Sequence, residues 1–378
     1  MSNKTIAQYP IIRSIAKGGA AEVFEVECPR TRRRLALKRL NLSGTAVQRF
    51  KREFQALQSL DHPSIVRVFE QGRDADGRHF ITMELLQGQG AHAWIRTAGS
   101  PGTPRRNQEA VRIIRIIADA LSALHDRGIV HRDIKASNVI ILSSGDVRLL
   151  DFGSAIAEGV CGGITNPGEF IGTFAYAAPE QILGEKIDGQ ADVYALGILF
   201  YRLLTGKMPF TAENRYRLAQ QHLRDSPRTP RRVRSGIPEA LSELVMTMLD
   251  KEPTRRPSAA GIGTRLQDAA QMLSPDTIVQ RLSALRPVAR RLMQALAVAG
   301  EPIDDETLVH MTDIPIEQMR ILLADLESEN WIHRARNSWS IGDLQVGEQV
   351  VVSLRDARHY LLQTRLQEFR RILTNPVR

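Results

Sequence analysis

Near residue 86 the chain changes its hydrophobic period, and this restricts the fold more than any other feature. Upstream, Ile15-Ala16-Lys17-Gly18-Gly19-Ala20-Ala21-Glu22-Val23 and Leu35-Ala36-Leu37-Lys38-Arg39-Leu40 place short apolar runs on either side of turn residues, so residues 11–40 read as strands joined by hairpins. A helical period follows at about 45–60, and strand-like runs lie at 65–70 and 79–84. Downstream, residues 109–127, 191–205 and 238–249 read as apolar helices, with two short β-like runs at 139–142 and 147–150 among them. Pro257-Ser258 marks the approach to a further helix. A small strand-rich lobe beside a larger helical one, an α+β class, follows from that order.

The 378 residues are enough for two packed units. Residues 261–378 hold 14 Lys/Arg against 15 Asp/Glu, so the net +9 originates in residues 1–260. Such a field can attract acidic proteins or polyphosphates, and it also suits a plain solvated surface. No run approaches the roughly 18 apolar residues of a membrane span, and the opening segment lacks the layout of an export signal. Only Cys28 and Cys161 occur, without metal-ligand spacing. A reducing, cytoplasmic setting without membrane association is the expectation.

Within the helical part, Val130-His131-Arg132-Asp133-Ile134-Lys135-Ala136-Ser137-Asn138 sets an acid, a cation and an amide within six positions. Asp133 suits orientation of a hydroxyl and acceptance of its proton, Lys135 can offset charge on a moving phosphoryl group, and Asn138 can offer an amide oxygen to Mg2+. Asp151, in Asp151-Phe152-Gly153, adds a second hard oxygen. Lys38 on its strand can fix phosphates, and small residues around Gly18 let a hairpin backbone approach them.

These ordered motifs, with Ala178-Pro179-Glu180 after them, resemble the Hanks-type protein kinases, most closely the bacterial serine/threonine kinases, over residues 15–257. The resemblance implies a bilobal kinase-like fold, ATP and Mg2+ as cofactors with Mn2+ as a substitute, and phosphorylation of protein Ser/Thr residues, including the chain's own. It makes Asp133, Lys135, Lys38 and Glu53 catalytic, with Glu53 the helix carboxylate that pairs with Lys38. Around the nucleotide it sets Ile15, Gly18, Val23, Ala36, Lys38, Met83, Glu84, Leu86, Asn138 and Asp151, the last two as metal ligands. Asp192 becomes a buried anchor of the catalytic loop and Glu180 a partner of Arg256. Phosphorylation of Thr165, the better candidate, or of Thr173, whose hydroxyl is more readily placed in a structural bond to Asp133 or Lys135, is expected to order the segment between Asp151 and Glu180 with Arg132 as a cationic partner.

Ala16 and Ala21 stand where the family's phosphate loop carries glycines. The added methyls leave a second reading open, a nucleotide-binding pseudokinase that acts as a signalling scaffold.

Residues 1–260 are thus expected to form the kinase domain, 261–286 a helical transition and 287–378 a smaller, mainly helical unit. In the last, helices from Pro287, Pro302 and Ile314 precede β-like runs at Trp331-Ile332 and Trp339-Ser340-Ile341, which resembles a winged helix. Residues 315–329 carry Arg320 against Glu317, Asp325, Glu327 and Glu329, a balance that repels nucleic acid. Protein docking, self-association or intramolecular regulation is the expectation for this unit.

Overall fold

The structure is a computed structural model that describes residues 5–17, 21–40, 47, 54–55, 57–150, 174–272, 282–328, 331–335, 338–341, 346–347, 350–351, 354 and 356–374. Its contacts divide it into two compact units: residues 1–99, 109–228 and 244–264 form the first, and 100–108, 229–243 and 265–378 the second.

The first unit opens with β1 (Thr5–Ile6), β2 (Tyr9–Lys17), β3 (Ala21–Glu27), β4 (Arg34–Leu40), β5 (Val68–Arg73) and β6 (His79–Glu84), an antiparallel sheet in the order β1-β2-β3-β4-β6-β5. β4 is interior to this sheet and buried on both faces, as a run without polar alternation requires. Ile6, Tyr9, Val26, Leu35, Leu37 and Phe80 form a small core on it. Gly72 matters there, because a methyl at that position would stand 2.5 Å from the Phe80 ring. Of the helix expected at 45–60, residues 47, 54, 55 and 57–60 are described; the helix holds through residue 58, and Ser59 and Leu60 lie in the turn after it.

Next come β7 (Gly88–Gly90), α1 (Ala91–Thr97), α2 (Pro104–His125), β8 (Val139–Leu142) and β9 (Val147–Leu149). The three strands form a second antiparallel sheet, β7-β8-β9. Ile113, Ile117, Leu121 and Leu124 recur at helical spacing on α2 and are fully buried. Then follow α3 (Pro179–Leu183), α4 (Gly189–Thr205), α5 (Arg215–Arg224), α6 (Pro230–Val233), α7 (Glu239–Met248) and α8 (Ala259–Met272). α4 is buried around nearly its whole circumference, as its apolar run Val193–Phe200 demands, and Asp188 caps it by accepting the Gln190 N–H at 2.9 Å.

In the second unit, α9 (Pro287–Ala299), β10 (Ile303–Asp304), α10 (Asp305–Thr312), α11 (Ile316–Ser328), β11 (Ile332–Ala335), β12 (Ser338–Ile341) and α12 (Asp356–Thr374) follow in order. The strands form an antiparallel sheet β10-β12-β11. Leu292, Leu296, Met319, Leu323, Trp331 and Trp339 lie in its core. Residues 100–108 and 229–243 belong to this unit through bonds such as Asn107 Nδ2 to the Gly236 carbonyl at 2.8 Å and Arg231 Nη2 to His333 Nδ1 at 3.2 Å. The chain therefore has a bilobal α+β fold, with a sheet-rich first lobe and a helical second lobe, and a smaller, mostly helical C-terminal region. Among the described residues, no helix is long and apolar enough to cross a membrane.

Candidate active site

The loop between α2 and β8 owes its shape to one carboxylate. Asp192, 1% exposed on α4, accepts the backbone N–H of His131 (Oδ2, 2.8 Å) and of Arg132 (Oδ1, 2.7 Å), and meets His125 Nε2 at 2.8 Å. A buried carboxylate without such donors would be strongly destabilising. Gly189 belongs to this arrangement, because a Cβ there would stand 2.6 Å from the His125 ring. Arg132 is held at φ +66°, a left-handed conformation that L side chains adopt at a cost of roughly 1–2 kcal/mol.

Beyond that turn the polar side chains converge. Lys135 Nζ donates to Asp133 Oδ2 at 2.7 Å. Asn138 Nδ2 donates to the same oxygen at 3.0 Å and to the Asp133 carbonyl at 2.8 Å. Both side-chain bonds fall on Oδ2, so neither ties down Oδ1. With its nitrogen used in this way, Asn138 has its amide oxygen as the atom to offer a cation. His131, fully buried, reaches the Leu150 carbonyl through Nε2 at 3.0 Å, and its Nδ1 accepts the Asp133 N–H at 3.3 Å. The Leu150 N–H in turn donates to the Asn138 carbonyl at 2.7 Å, which fixes the chain just before Asp151.

On the first sheet, Lys38 lies on β4, opposite Val23 on β3 and Ile81 on β6, and is 8% exposed. Ala36 lies opposite Met83, itself buried, so Val23, Ala36, Lys38 and Met83 sit on three adjacent strands. The Glu84 N–H is used by the Arg67 carbonyl at 3.0 Å, and Glu84 Oε1 accepts the Arg67 N–H at 2.9 Å. Leu86 follows in the connection to β7, and Ile15 lies on β2, 43% exposed. Gly18, Glu53, Asp151, Thr165 and Thr173 lie outside the described residues.

Two features were not legible in advance. Glu180 and Arg256 form a bidentate pair at 2.6 and 2.9 Å, expected as a pair, but Arg256 also donates to the carbonyls of Gln190, Asp250 and Lys251. His222 on α5 packs under Phe174, 6.5 Å between ring centres, and meets the Tyr194 hydroxyl at 3.0 Å. Burial, with Lys251 nearby, pushes its pKa down to about 3. Lys251 donates to the His222 carbonyl at 2.7 Å, and its own pKa is brought down to about 8 by burial. A lone histidine on a helix announces none of this in sequence.

Residues 9–266 match the family described as the protein kinase domain. The chain is 36% identical over 258 residues to serine/threonine-protein kinase PknD of Mycobacterium tuberculosis, a match over 67% of this chain and 38% of that protein. It is 34% identical over 253 residues to serine/threonine-protein kinase PrkC of Bacillus subtilis, over 66% and 38%. With serine/threonine-protein kinase PknF of M. tuberculosis it shares 33% identity over 353 residues, 89% of this chain and 72% of that one. PknD and PrkC are thus matched over less than half of their own length. A crystal structure of Rad53 residues 1–466 in complex with AMP-PNP superposes with a TM-score of 0.56 at 27% identity, over 68% of this chain and 64% of that one. Set beside a loop anchored on Asp192 and a lysine on the central strand, these likenesses leave one assignment: the chain belongs to the protein kinase family, in its bacterial serine/threonine branch.

Proposed function

We propose that the chain transfers the γ-phosphoryl group of ATP to Ser and Thr hydroxyls of proteins, its own included. The observation that carries this reading is the Asp133 carboxylate, held through Oδ2 by Lys135 and Asn138 on a loop whose backbone is anchored by Asp192. A carboxylate so fixed can orient a hydroxyl and accept its proton on the oxygen left over. Lys135, bonded to it at 2.7 Å, is close enough to offset charge on the phosphoryl group.

The donor set fits Mg2+, and Mn2+ in its place. Asn138 and Asp151 supply hard oxygens, and such ions prefer oxygen ligands shared with phosphates and water. When bound, the metal would neutralise charge on the transferring phosphoryl group. Lys38, paired with Glu53, would hold the α/β-phosphates, and Ile15, Gly18, Val23, Ala36, Met83, Glu84 and Leu86 would enclose the rest of the nucleotide. The AMP-PNP in the Rad53 structure supports this assignment by analogy. Two cysteines in 378 residues suit a reducing, cytoplasmic compartment.

The purified chain, given Mg-ATP and a generic acceptor protein, is expected to phosphorylate Ser/Thr sites that disappear with Asp133→Asn and Asp151→Ala. ATP binding without turnover would instead support the pseudokinase scaffold, for which Ala16 and Ala21 are the motive.

For the C-terminal region we retain the domain limits 1–260, 261–286 and 287–378, and a winged-helix-like reading. It is supported by the order α9, β10, α10, α11, β11, β12 and by the central place of β12 in the sheet. Protein docking or regulation is preferred to DNA, because α11 carries Arg320 against Glu317, Asp325 and Glu327, a balance that repels phosphate.

A further inference from the structure

The peptide that joins Arg132 to Asp133 is held at both of its polar atoms. Its N–H, that of Asp133, meets His131 Nδ1 at 3.3 Å. Its carbonyl, that of Arg132, accepts a bond from Gln181 Nε2 at 3.3 Å. The other end of the same amide, Gln181 Oε1, accepts the Ala178 N–H at 2.9 Å. One side chain thus ties the peptide in front of Asp133 to the first turn of α3. That turn is itself immobilised, since the neighbouring Glu180 is locked to Arg256 by two buried bonds.

The need for such a tie comes from Arg132. Its φ of +66° is a conformation that a non-glycine residue leaves unless its surroundings over-determine it. Asp192 secures the Arg132 N–H at 2.7 Å, on the near side of the residue. If the far side were unsecured, the Arg132–Asp133 peptide could rotate and carry the Asp133 carboxylate with it, away from the geometry that Lys135 and Asn138 define. Small displacements of a general base cost rate rather than substrate affinity.

We propose that Gln181 is a positioning residue for Asp133: its amide fixes the left-handed turn at Arg132 by donating to the Arg132 carbonyl, while its oxygen remains on Ala178. The inference rests on the reading of Asp133 as the group that orients the acceptor hydroxyl. The required chemistry is specific to an amide, which offers a donor at one end and an acceptor at the other. A carboxylate of the same shape keeps the acceptor and sets an oxygen against the Arg132 carbonyl. A methionine of similar length keeps neither function.

The test compares the full chain with Gln181→Glu and Gln181→Met, by initial rates, by the affinity for Mg-ATP, and by amide hydrogen exchange of a peptide covering residues 130–138. Expected is a fall in kcat of about tenfold with Gln181→Glu, the size of one lost hydrogen bond, with KM and ATP affinity within about twofold of wild type. Exchange in residues 131–134 should speed up in the same variant. An unchanged kcat, or a loss of ATP affinity large enough to account for the loss of rate, overturns the proposal. Should Gln181→Glu not fold, the same two criteria are applied to Gln181→Met. Asp133→Asn separates the two ideas: wild-type turnover that does not depend on Asp133 refutes the catalytic reading, and with it the proposal. If the wild type shows no turnover at all, exchange decides, and unchanged exchange in residues 131–134 overturns the positioning role.

Discussion

Glu180–Arg256 and Asp133–Lys135 are both acid–base pairs of the helical lobe, and they differ in what surrounds them. The Arg256 side chain is fully buried, and its five N–H donors go to Glu180, Gln190, Asp250 and Lys251. Lys135 keeps a fifth of its side-chain surface in solvent, and Asp133 takes both of its side-chain bonds on one oxygen. The first pair is closed, so removing a member leaves a charge with nowhere to go. The second keeps acceptor capacity for something other than protein. A frame residue is recognisable by exhausted polar atoms, and a working residue by an oxygen held in reserve.

That contrast predicts opposite signatures. Asp133→Asn should reduce kcat by about 10²–10⁴, the range for loss of a general base, while thermal unfolding stays near that of wild type. Initial-rate kinetics beside a melting curve would decide; a stability loss that matches the activity loss would put Asp133 with the frame. Glu180→Ala should do the reverse, destabilising by about 3–5 kcal/mol in denaturant titration because Arg256 remains buried without its carboxylate. If Glu180→Ala were as stable as wild type, exhausted polar atoms would not mark the frame.

The two pairs also differ in how far sequence anticipates them. Asp192, Glu180 and Arg256 stand in motifs from which the family resemblance implies the partner, and the bonds of Asp192 to the loop of Asp133 and of Glu180 to Arg256 follow that outline. The bond of Gln181 does not. Its bond to the Arg132 carbonyl joins a side chain to a backbone atom 49 positions away, and backbone atoms carry no sequence signal. The same holds for β7 and β10, strands of three and two residues that exist because β8 and β12 pair with them. The strands near 68–73 and 79–84 and the helices at 104–125, 189–205 and 239–248 lie within a few residues of their expected places, because each buries a periodic face. The inclusion of residues 100–108 and 229–243 in the second unit goes with long-range bonds, Asn107 to Gly236 between the two segments and Arg231 to His333 beyond them, which no local pattern encodes.

Acid provides an intermediate test of the frame. His222 is fully buried and neutral, with a pKa pushed down to about 3, whereas an unfolded chain would bind a proton near 6.5. Below pH 6.5 the unfolded state therefore holds more protons than the folded one. The stabilisation is complete above that pH and is lost as pH falls toward 3, by about 1.4 kcal/mol per unit. At pH 5 wild type should have lost about 2 kcal/mol that His222→Gln does not lose, read as the difference between their unfolding midpoints at pH 7 and pH 5. Equal acid sensitivity in the two proteins would show that His222 is not excluded from protonation, and that the closed frame stops short of α5.

The smallest effects belong to the C-terminal region, where one carboxylate makes both kinds of bond at once. Asp305, in the first turn of α10, accepts Trp339 Nε1 through Oδ1 at 2.8 Å and Arg320 Nε through Oδ2 at 3.3 Å. The indole is 5% exposed, so its N–H has no water to replace Asp305, and Trp339→Phe should cost about 1–3 kcal/mol by leaving an oxygen under-satisfied and a gap in the core. The guanidinium keeps more than half of its surface in solvent. Arg320→Ala should therefore cost less than about 1 kcal/mol, and the little it costs should vanish in high salt, since an exposed pair is screened. Denaturant midpoints of the two variants at low and high salt make the comparison on a single acceptor. A loss with Arg320→Ala as large as that with Trp339→Phe would mean that partial exposure does not separate frame from reserve. If only the Trp339 variant is damaged, the rule drawn from Arg256 and Lys135 extends to the second compact unit.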